Sequence, residues 1–350
     1  MKKILMVCES FGGGVFAYVT QLCNAMCDEF NIYLAYGLRP QTPSNFRELL
    51  DSRVKLFEVS GFSKLKRINK TIRFLRRIEE DIKPDIIHLH SSIAGGIGRI
   101  AFKKRKESVI YTPHGFAHIL LGGGFKSWLY KRFEKILGNK ALTLTCCKSE
   151  DEEAKKFSKR TAFIETGMDI EEFDKVLKNV KLAPKKEFTV FTLGRICTQK
   201  QPKLFNQIAE MTPDVKFVWI GDGELKHELK APNIRVTGWL SRMDALALAK
   251  QADVFILCSL GEAIAMSLLE NMYLKKLCLV SNVIGNRSVI IHDKNGYVCE
   301  NAEDYSNHIK NSTLVYPFDK VENAFADILN VYNTTAMRKK YIDFYTTFNG

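Results

Sequence analysis

Short apolar runs alternate with longer amphipathic segments along the first half of the chain. The runs are rich in Val, Ile, Leu and aromatic residues, which is typical of buried strands, and the segments between them repeat apolar residues with the period of a helix. Strands are predicted at 3–7, 32–36, 86–90, 109–112 and 142–146. This alternation predicts a parallel sheet with crossover helices.

The same alternation starts again in the second half of the chain, with strands predicted at 188–193, 216–220, 234–236, 254–258 and 277–281. Segment 175–187 separates the two series, because it contains a proline and five lysines and has no consistent apolar face. The chain is therefore predicted to be an α/β protein of two Rossmann-like, doubly wound parallel-sheet domains. The predicted divisions are a first domain at 1–175, a linker at 176–187, a second domain at 188–335 and a closing segment at 336–350. The closing segment is expected to return toward the first domain.

Composition agrees with this organisation and narrows the class of ligand. A chain of 350 residues, 46% of them apolar, exceeds a single hydrophobic core. The formal net charge of +13 favours anionic partners such as nucleotides, nucleic acid or acidic lipid. The sequence has no run of roughly 18 apolar residues, and its cysteines form no zinc-binding spacing, so we expect a cytoplasmic protein with reduced cysteines.

In doubly wound sheets, ligands bind beyond the carboxyl ends of the strands, and here these positions are polar or rich in glycine. After the first strand come Gly12, Gly13 and Gly14, whose amides can approach a phosphate or a sugar closely. The triplet also matches Gly-x-Gly-x-x-Ala, the dinucleotide fingerprint. We reject that interpretation because four residues separate the predicted strand end, Val7, from Gly12, and because no acidic residue ends the second strand.

Arg195 and Lys200 follow the first strand of the second domain, five residues apart in a loop that leads into a helix. Such a pair can converge on one diphosphate, with arginine as a fork and lysine as a point charge. Two fixed cations would stabilise the charge on a departing nucleotide diphosphate. The alternative is a pair of solvated loop cations.

Two glutamates follow the predicted strand at 254–258. Glu262 lies in the loop, and Glu270, seven residues further on, lies inside the next helix among apolar neighbours. The amides of Ile264, Ala265 and Met266 at the start of that helix can bind an anion or a hydroxyl. A buried carboxylate needs hydroxyl or amide partners, which a ribose would supply. The alternative is one helix-capping and one surface glutamate.

His114 follows the fifth strand, in YTPHGF, where its imidazole can bind a substrate hydroxyl; a structural loop histidine is the alternative. We expect no metal site. His114 and His118 lack the intervening acid of a His-Glu-x-x-His motif, and His88 with His90 has no evident third ligand.

Taken in order, the glycine loop, PHGF, GRICTQK, GDGE and the two spaced glutamates resemble the family-4 retaining glycosyltransferases. The resemblance runs from residue 3 to about 304, and it implies the GT-B fold, in which two Rossmann-like domains face each other across a cleft. It implies that Arg195 and Lys200 bind the donor diphosphate and that Glu270 binds the ribose. Glu262 with the following amides would hold the transferred sugar, and His114 would contact a sugar hydroxyl.

The segment HSSIAGGIGR, residues 90–99, is similar to family members that build lipid-linked capsule and O-antigen repeat units. The resemblance therefore implies transfer from a nucleotide diphosphate sugar, expected to be a UDP-sugar, to a lipid-linked saccharide, without metal or cofactor. One alternative is a nucleotide-sugar 2-epimerase of the same fold. Another is a non-catalytic nucleotide-sugar-binding partner. The family usually has Gly at the position of Ala263 and often Pro or Gly at the position of Ala265. Nucleic-acid binding is not expected, since only charge favours it.

Segment 65–82 is predicted to be a basic amphipathic helix. Its apolar stripe consists of Leu65, Ile68, Ile72, Leu75, Ile78 and Ile82. Its remaining surface carries six cations and has no acid before Glu79; the cations are Lys66, Arg67, Lys70, Arg73, Arg76 and Arg77. A face of one sign suggests docking on an anionic membrane, here the inner face of the plasma membrane, although an ordinary solvated face is the alternative.

Overall fold

The structure, a computed structural model, describes residues 1–62, 65–120, 123–180 and 187–348, with only the backbone described for Leu65. The chain divides into unit 1, residues 1–167 and 334–350, and unit 2, residues 168–333. The first boundary precedes the predicted one at 175, because helix Ile170–Lys178 buries Phe173 in the core of unit 2. Within the predicted linker 176–187, residues 181–186 lie outside the described part of the chain.

Among the described residues of unit 1, seven parallel strands form one sheet in the order β3-β2-β1-β4-β5-β6-β7. The strands are β1 (Lys3–Phe11), β2 (Asn31–Leu38), β3 (Lys55–Glu58), β4 (Ile86–His90), β5 (Val109–Thr112), β6 (Leu142–Thr145) and β7 (Thr161–Phe163). The helices are α1 (Gly13–Met26), α2 (Ile68–Ile82), α3 (Ser92–Ala101), α4 (Ala117–Leu120), α5 (Gly124–Leu137), α6 (Lys148–Ala154) and, from the end of the chain, α14 (Thr334–Thr347).

Helices cover both faces of the unit 1 sheet. On one face, α1 packs together with α14, which buries Met337, Tyr341 and Tyr345. On the other face, α2 and α3 bury the apolar residues of their inner sides against the central strands. The end of the chain therefore completes the core of the unit in which the chain begins.

In the described part of unit 2, six parallel strands follow the order β10-β9-β8-β11-β12-β13. The strands are β8 (Thr189–Leu193), β9 (Lys216–Ile220), β10 (Ile234–Val236), β11 (Val254–Leu257), β12 (Leu277–Ser281) and β13 (Tyr297–Cys299). The helices are α7 (Ile170–Lys178), α8 (Pro202–Glu210), α9 (Arg242–Gln251), α10 (Met266–Tyr273), α11 (Ile284–Val289), α12 (Ala302–Leu314) and α13 (Phe318–Asn330).

The sequence analysis missed β3, β7 and β13. All three lie at a sheet edge and have four residues or fewer, which leaves little pattern to detect, although β10, an edge strand of three residues, was predicted at 234–236. The predicted helix 65–82 begins as a 3-10 turn, Leu65–Arg67, and continues as α2. Its six cations are exposed, while Leu75, Ile78 and Ile82 are buried. Among the helices that the structure describes, none is both long and apolar enough to cross a membrane.

Candidate functional site

The loop after β8 carries Arg195 and Lys200, the two cations predicted to bind a diphosphate. Gly194, with φ of +144°, follows the strand, and a 3-10 turn at Thr198–Lys200 leads into α8. The Lys200 side chain passes close to Gly194, where an added Cβ would lie 3.9 Å from Lys200 Cε. Arg195 is exposed and forms no hydrogen bond or ion pair with any residue that the structure describes. Its guanidinium is therefore available to an anionic ligand.

The GDGE segment after β9 holds this loop in place. Ile196 N donates a hydrogen bond to the carbonyl oxygen of Asp222 at 2.9 Å. A Cβ on Gly221 would lie 2.1 Å from the carbonyl oxygen of Gly194, so only glycine permits the two loops to approach this closely. The motif thus acts on Arg195 through the backbone that carries it.

Lys200 and Glu262 contact each other directly. Lys200 Nζ donates to Glu262 Oε1 at 2.6 Å, and Ser259 Oγ donates to the same oxygen at 2.7 Å. A backbone hydrogen bond from Leu260 N to the Gln199 carbonyl oxygen, 2.8 Å long, joins the two loops. An ammonium group has three N–H donors, and the described residues occupy one of those of Lys200. Its other donors can bind a ligand anion.

The start of α10 supplies further donors beside Glu262. The amides of Ile264, Ala265 and Met266 donate no hydrogen bond to any described residue, and the N-cap residue, Ala265, gives no side-chain cap. Free amides at a helix start carry partial positive charge and bind anions or hydroxyls. This loop therefore combines a carboxylate with unpaired amides.

The connection after β12 supports the same loop, and the sequence analysis missed this support. Ser281 Oγ donates to the carbonyl oxygen of Ser259 at 2.6 Å, and Gly285 N donates to the carbonyl oxygen of Glu262 at 3.1 Å. A Cβ on Gly285 would lie 1.6 Å from the carbonyl oxygen of Ala263. Ser281 ends a correctly predicted strand, so reading the residues after every strand would have found both positions.

Glu270 has a protein partner that the sequence analysis did not foresee. Arg242 Nη2, at the start of α9, donates to Glu270 Oε1 at 2.8 Å, and the guanidinium lies 5.6 Å from the centre of the Phe173 ring. Glu270 is buried, and an arginine supplies part of the compensation that a ribose was expected to supply alone. No described contact joins Glu270 to the Lys200–Glu262 pair.

In unit 1, the glycine loop begins directly at the end of β1. The strand continues through Phe11, with an irregular register after Cys8, so the prediction that it ends at Val7 was wrong. Because β1 ends next to Gly12, spacing no longer excludes a dinucleotide fingerprint. The second reason against it remains, since β2 ends at Leu38 without an acidic residue. Gly13 and Gly14 form the first turn of α1, and a Cβ at either would meet no atom within 4 Å. Open space therefore adjoins this helix start.

His114 lies in a network of buried side chains. Its Nε2 is 3.0 Å from His90 Nδ1, its Nδ1 is 3.6 Å from Cys146 Sγ, and the Tyr18 ring packs edge-on against it. Burial lowers the pKa of His114 to about 3, so the imidazole is neutral at pH 7. Both ring nitrogens have protein neighbours, so a bound hydroxyl would have to share or replace one of them.

The network continues through His88 to the end of the chain. His88 Nδ1 is 2.6 Å from the Tyr345 hydroxyl, and His88 Nε2 is 2.8 Å from Thr112 Oγ1. Burial lowers the pKa of His88 and of His90 well below the ordinary value. These histidines are therefore neutral hydrogen-bonding groups rather than charges.

Glu150 fixes the loop that carries His114, and the sequence analysis did not single it out. Its two carboxylate oxygens accept hydrogen bonds from Gly115 N at 2.8 Å and Cys146 N at 2.9 Å. Burial raises the pKa of this carboxyl, and the two amide donors oppose that rise. One side chain on α6 thus ties together the loops after β5 and β6.

Comparisons with known proteins agree with this architecture. Residues 12–172 match the family model described as Glycosyltransferase Family 4, and residues 173–312 match the one described as Glycosyl transferases group 1. A curated relative, the Escherichia coli UDP-Gal:alpha-D-GlcNAc-diphosphoundecaprenol alpha-1,3-galactosyltransferase, is 30% identical over 334 residues, which cover 85% of each chain.

Two solved structures have the same fold as this chain. Sucrose-phosphate synthase from Thermosynechococcus elongatus gives a TM-score of 0.79 at 14% identity, covering 99% of this chain and 98% of that one. HepE from Anabaena, in complex with UDP and glucose, gives a TM-score of 0.75 at 17% identity, covering 99% of this chain and 100% of that one. The predicted GT-B fold is confirmed, and the chain belongs to glycosyltransferase family 4.

Proposed function

We propose that this glycosyltransferase moves a sugar from a UDP-sugar to a lipid-linked saccharide, with retention of the donor's anomeric configuration. The observation that carries the proposal is the Lys200–Glu262 pair, which lies on the same two loops as the free Arg195 and the unpaired amides before α10. This set of groups suits a ligand that is both an anion and a sugar. The Escherichia coli relative is named for a UDP-linked donor and a diphosphoundecaprenol-linked acceptor, and HepE was solved with UDP and glucose.

The two cations act on the leaving group in this proposal. When the bond between the anomeric carbon and the diphosphate oxygen breaks, the electron pair stays on the diphosphate, whose negative charge increases. Arg195 can bind it with a planar fork, while Lys200, oriented by Glu262, adds a second positive charge. Fixed charges at the place where negative charge develops lower the barrier without reorganisation.

The remaining candidate residues hold the donor. Glu270, oriented by Arg242, has a carboxylate suited to the two ribose hydroxyls, since carboxylate oxygens accept hydrogen bonds from such groups. Glu262 and the amides of Ile264, Ala265 and Met266 bind the hydroxyls of the transferred sugar. In unit 1, His114 binds one further sugar hydroxyl, and Gly13 and Gly14 leave the start of α1 open to the ligand.

The chemistry needs no protein nucleophile in this scheme. The acceptor oxygen bonds to the anomeric carbon on the face from which the diphosphate departs. The proton of the acceptor hydroxyl passes to an oxygen of the leaving diphosphate, so charge and atoms balance. Because cations of the protein stabilise the leaving group, we propose that the enzyme requires neither metal nor cofactor.

The acceptor places the enzyme at a membrane surface in this proposal. The six exposed cations of the 3-10 turn and α2 would attract anionic lipid, each contributing about 1 kcal/mol near an acidic leaflet. The site of action would be the cytoplasmic face of the plasma membrane. Attachment by this helix alone would be reversible and would weaken as salt screens the charges.

Mass spectrometry of reaction products tests the function. The purified chain is incubated with a panel of nucleotide sugars and with undecaprenyl-diphosphate saccharides as acceptors, and the product linkage is read by proton NMR. We expect one glycosylated lipid with an anomeric configuration equal to that of the donor. Inversion would exclude the retaining mechanism, an epimerised free sugar would indicate an epimerase, and donor binding without turnover on any acceptor would indicate a non-catalytic partner.

A further inference from the structure

Helix α5 exposes a row of large apolar side chains that the proposed function does not use. Phe125 is 76% exposed, Trp128 54%, Phe133 50% and Ile136 66%, and Leu129 is exposed as well. At helical spacing these five residues lie on one face, and the Phe125 and Trp128 rings stack with centroids 5.7 Å apart. The face is thus an apolar strip open to solvent, interrupted by Arg132, which lies four residues from both Trp128 and Ile136.

The inner side of the same helix buries one apolar residue, Leu137, and one charged residue, Glu134. Glu134 is buried, and its carboxylate is bound by Arg99 Nη1 at 3.0 Å and by the Tyr111 hydroxyl at 2.9 Å. The Arg99 guanidinium also lies 4.2 Å from the centre of the Tyr111 ring. A soluble helix ordinarily turns its apolar side inward, whereas α5 turns five of its six large apolar side chains, all but Leu137, outward. The buried ion pair fixes this orientation, because rotating the helix would leave two charges without partners.

Three lysines lie outside the exposed strip at its sides, and Arg132 lies within it. Lys126, Lys131, Arg132 and Lys135 are all exposed, and the Arg132 guanidinium lies 5.6 Å from the centre of the Trp128 ring. Glu134 is the only acid of α5, and it points inward. The outer surface of the helix therefore presents aromatic and aliphatic side chains framed by positive charge alone.

Helix α3 connects this surface to the basic surface of α2. It holds α5 through Arg99 and holds α2 through the hydrogen bond from Arg76 Nε to the carbonyl oxygen of Ala101, 3.0 Å long. Between them Ile100 is 47% exposed. The apolar strip and the six cations of Lys66 to Arg77 thus belong to one layer of unit 1.

We propose that α5 is a membrane-inserting helix that lies in the interface of a bilayer containing acidic lipid. Its apolar strip would enter the boundary between head groups and acyl chains. The lysines at its sides, and Arg132 extending its guanidinium outward from within it, would bind lipid phosphates. Tryptophan and phenylalanine favour that boundary. Lysine is depleted in the centres of protein–protein interfaces, so the flanking charges favour lipid over a protein partner.

The proposal divides membrane attachment between two helices. The cations of α2 give long-range attraction that salt screens, whereas the strip of α5 gives short-range burial that salt leaves intact. It requires only a lipid surface, so it stands independently of which sugar or acceptor the enzyme uses.

Tryptophan fluorescence tests insertion directly in the full chain. The chain has three tryptophans; Trp219 is buried and Trp239 is 68% exposed in unit 2. A Trp239→Phe background therefore leaves Trp128 as the exposed reporter. With vesicles of phosphatidylcholine and phosphatidylglycerol, we expect Trp128 emission to shift to the blue and to be quenched by lipids brominated on their acyl chains. Emission that neither shifts nor is quenched would overturn the proposal.

A triple variant, Phe125→Ser, Phe133→Ser and Ile136→Ser, tests the strip by co-sedimentation. Because the affinity of interfacial helices scales with buried apolar area, we expect binding to fall at least about tenfold at high and low salt. Leu314→Ser, Val315→Ser and Phe318→Ser form a matched control, since these apolar residues of unit 2 are at least as exposed as a set and their replacement should not affect binding. Circular dichroism and UDP binding confirm that both variants fold.

Two results would contradict the assignment. If the triple variant sediments with vesicles as strongly as the parent does, α5 is not the inserted element. If light scattering shows that the parent is a dimer in solution and the triple variant a monomer, a second copy of the chain covers the strip instead of lipid.

Discussion

The two units carry their candidate residues in different electrostatic states. In unit 2, the Lys200–Glu262 and Arg242–Glu270 pairs are charged and lie in loops after strands, with Arg195 exposed beside them. In unit 1, the candidate histidine, His114, lies in the loop after β5 and contacts His90 of β4, and burial lowers the pKa of both and of the neighbouring His88. Under the proposed function, unit 2 would supply charge for a diphosphate, whereas the histidines of unit 1 can offer only neutral hydrogen bonds.

The difference follows from solvent access. A loop cation stays charged because water and a neighbouring carboxylate stabilise it, so it can bind an anion without first gaining a proton. A buried imidazole sheds its proton, and it then acts as one donor and one acceptor. The following predictions test this contrast.

The largest expected effect is on turnover, and it belongs to unit 2. We expect Arg195→Ala and Lys200→Ala each to lower kcat at least about a hundredfold, because one well-placed donor to developing charge contributes about 3 to 4 kcal/mol. Steady-state kinetics with a saturating donor measures this loss. Lys203→Ala is the matched control, since that lysine is highly exposed on the adjacent helix and should leave kcat unchanged. Near-parental kcat in both variants would remove the diphosphate assignment.

A smaller effect concerns the backbone that supports Glu262. We expect Gly285→Ala to destabilise unit 2 by about 3 kcal/mol, because the added methyl group would overlap the carbonyl oxygen of Ala263. Chemical denaturation followed by amide hydrogen exchange, which distinguishes the units, measures it. Gly96→Ala in unit 1 is the control: its Cβ meets no atom within 4 Å, so stability should stay equal or rise slightly. Equal stabilities of the two variants would show that the loops rearrange freely.

Acid should weaken unit 1 through its histidines. The pKa of His88 is lower in the folded chain than its unfolded value of about 6.5. Its neutral form therefore contributes stability that is complete above that value. As the pH falls below it, this stability is lost by at most about 1.4 kcal/mol per pH unit. The slope of the unfolding free energy of β4 against pH gives the number of protons taken up on unfolding. Replacing His88 with Asn should therefore lower that number by about one between about pH 7 and about pH 5.

The measurement is amide exchange of β4 and β5 peptides across denaturant at both pH values. His227 serves as the control, because it lies on an exposed turn of unit 2 and its replacement should leave the pH dependence of unit 1 unchanged. An unchanged slope in His88→Asn would mean that another group dominates the acid sensitivity.

The smallest expected effect is that of chelation. Donor turnover should persist in excess EDTA if, as proposed, Arg195 and Lys200 take the place of a divalent cation at the diphosphate. Activity is compared before and after dialysis against EDTA, with added magnesium as the second arm. An absolute requirement for magnesium or manganese would break the proposed role of the two side chains.

Much of the fold was readable from the sequence because its strands are buried. The prediction of 86–90 coincides with β4, every residue of which is buried. The edge strands β3 and β13 have four and three residues, and their pattern does not exceed that of a loop, whereas the equally short edge strand β10, Ile-Arg-Val, alternates apolar and polar residues and was predicted. The end of β1 was misplaced because Ser10 and Gly12 read as loop residues, although β1 continues through Phe11.

The sequence also located the candidate loops, but it did not reveal their partners. Arg195, Lys200 and Glu262 stand out because charged residues directly after buried strands have few structural reasons to be there. Arg242 carries no comparable mark, since it begins an ordinary helix and meets Glu270 only after α9 and α10 fold together.

The sequence by itself determined the periodicity, hence the two parallel sheets, and the chemistry of the loops, because both depend on residues that are near one another in the chain. Only the tertiary structure decided which distant groups meet, as when Tyr345 binds His88 across 257 residues. It also decided the orientation of α5. The pattern of that helix shows that it has an apolar side, but only Arg99, brought by α3, draws Glu134 inward and leaves the apolar side facing out.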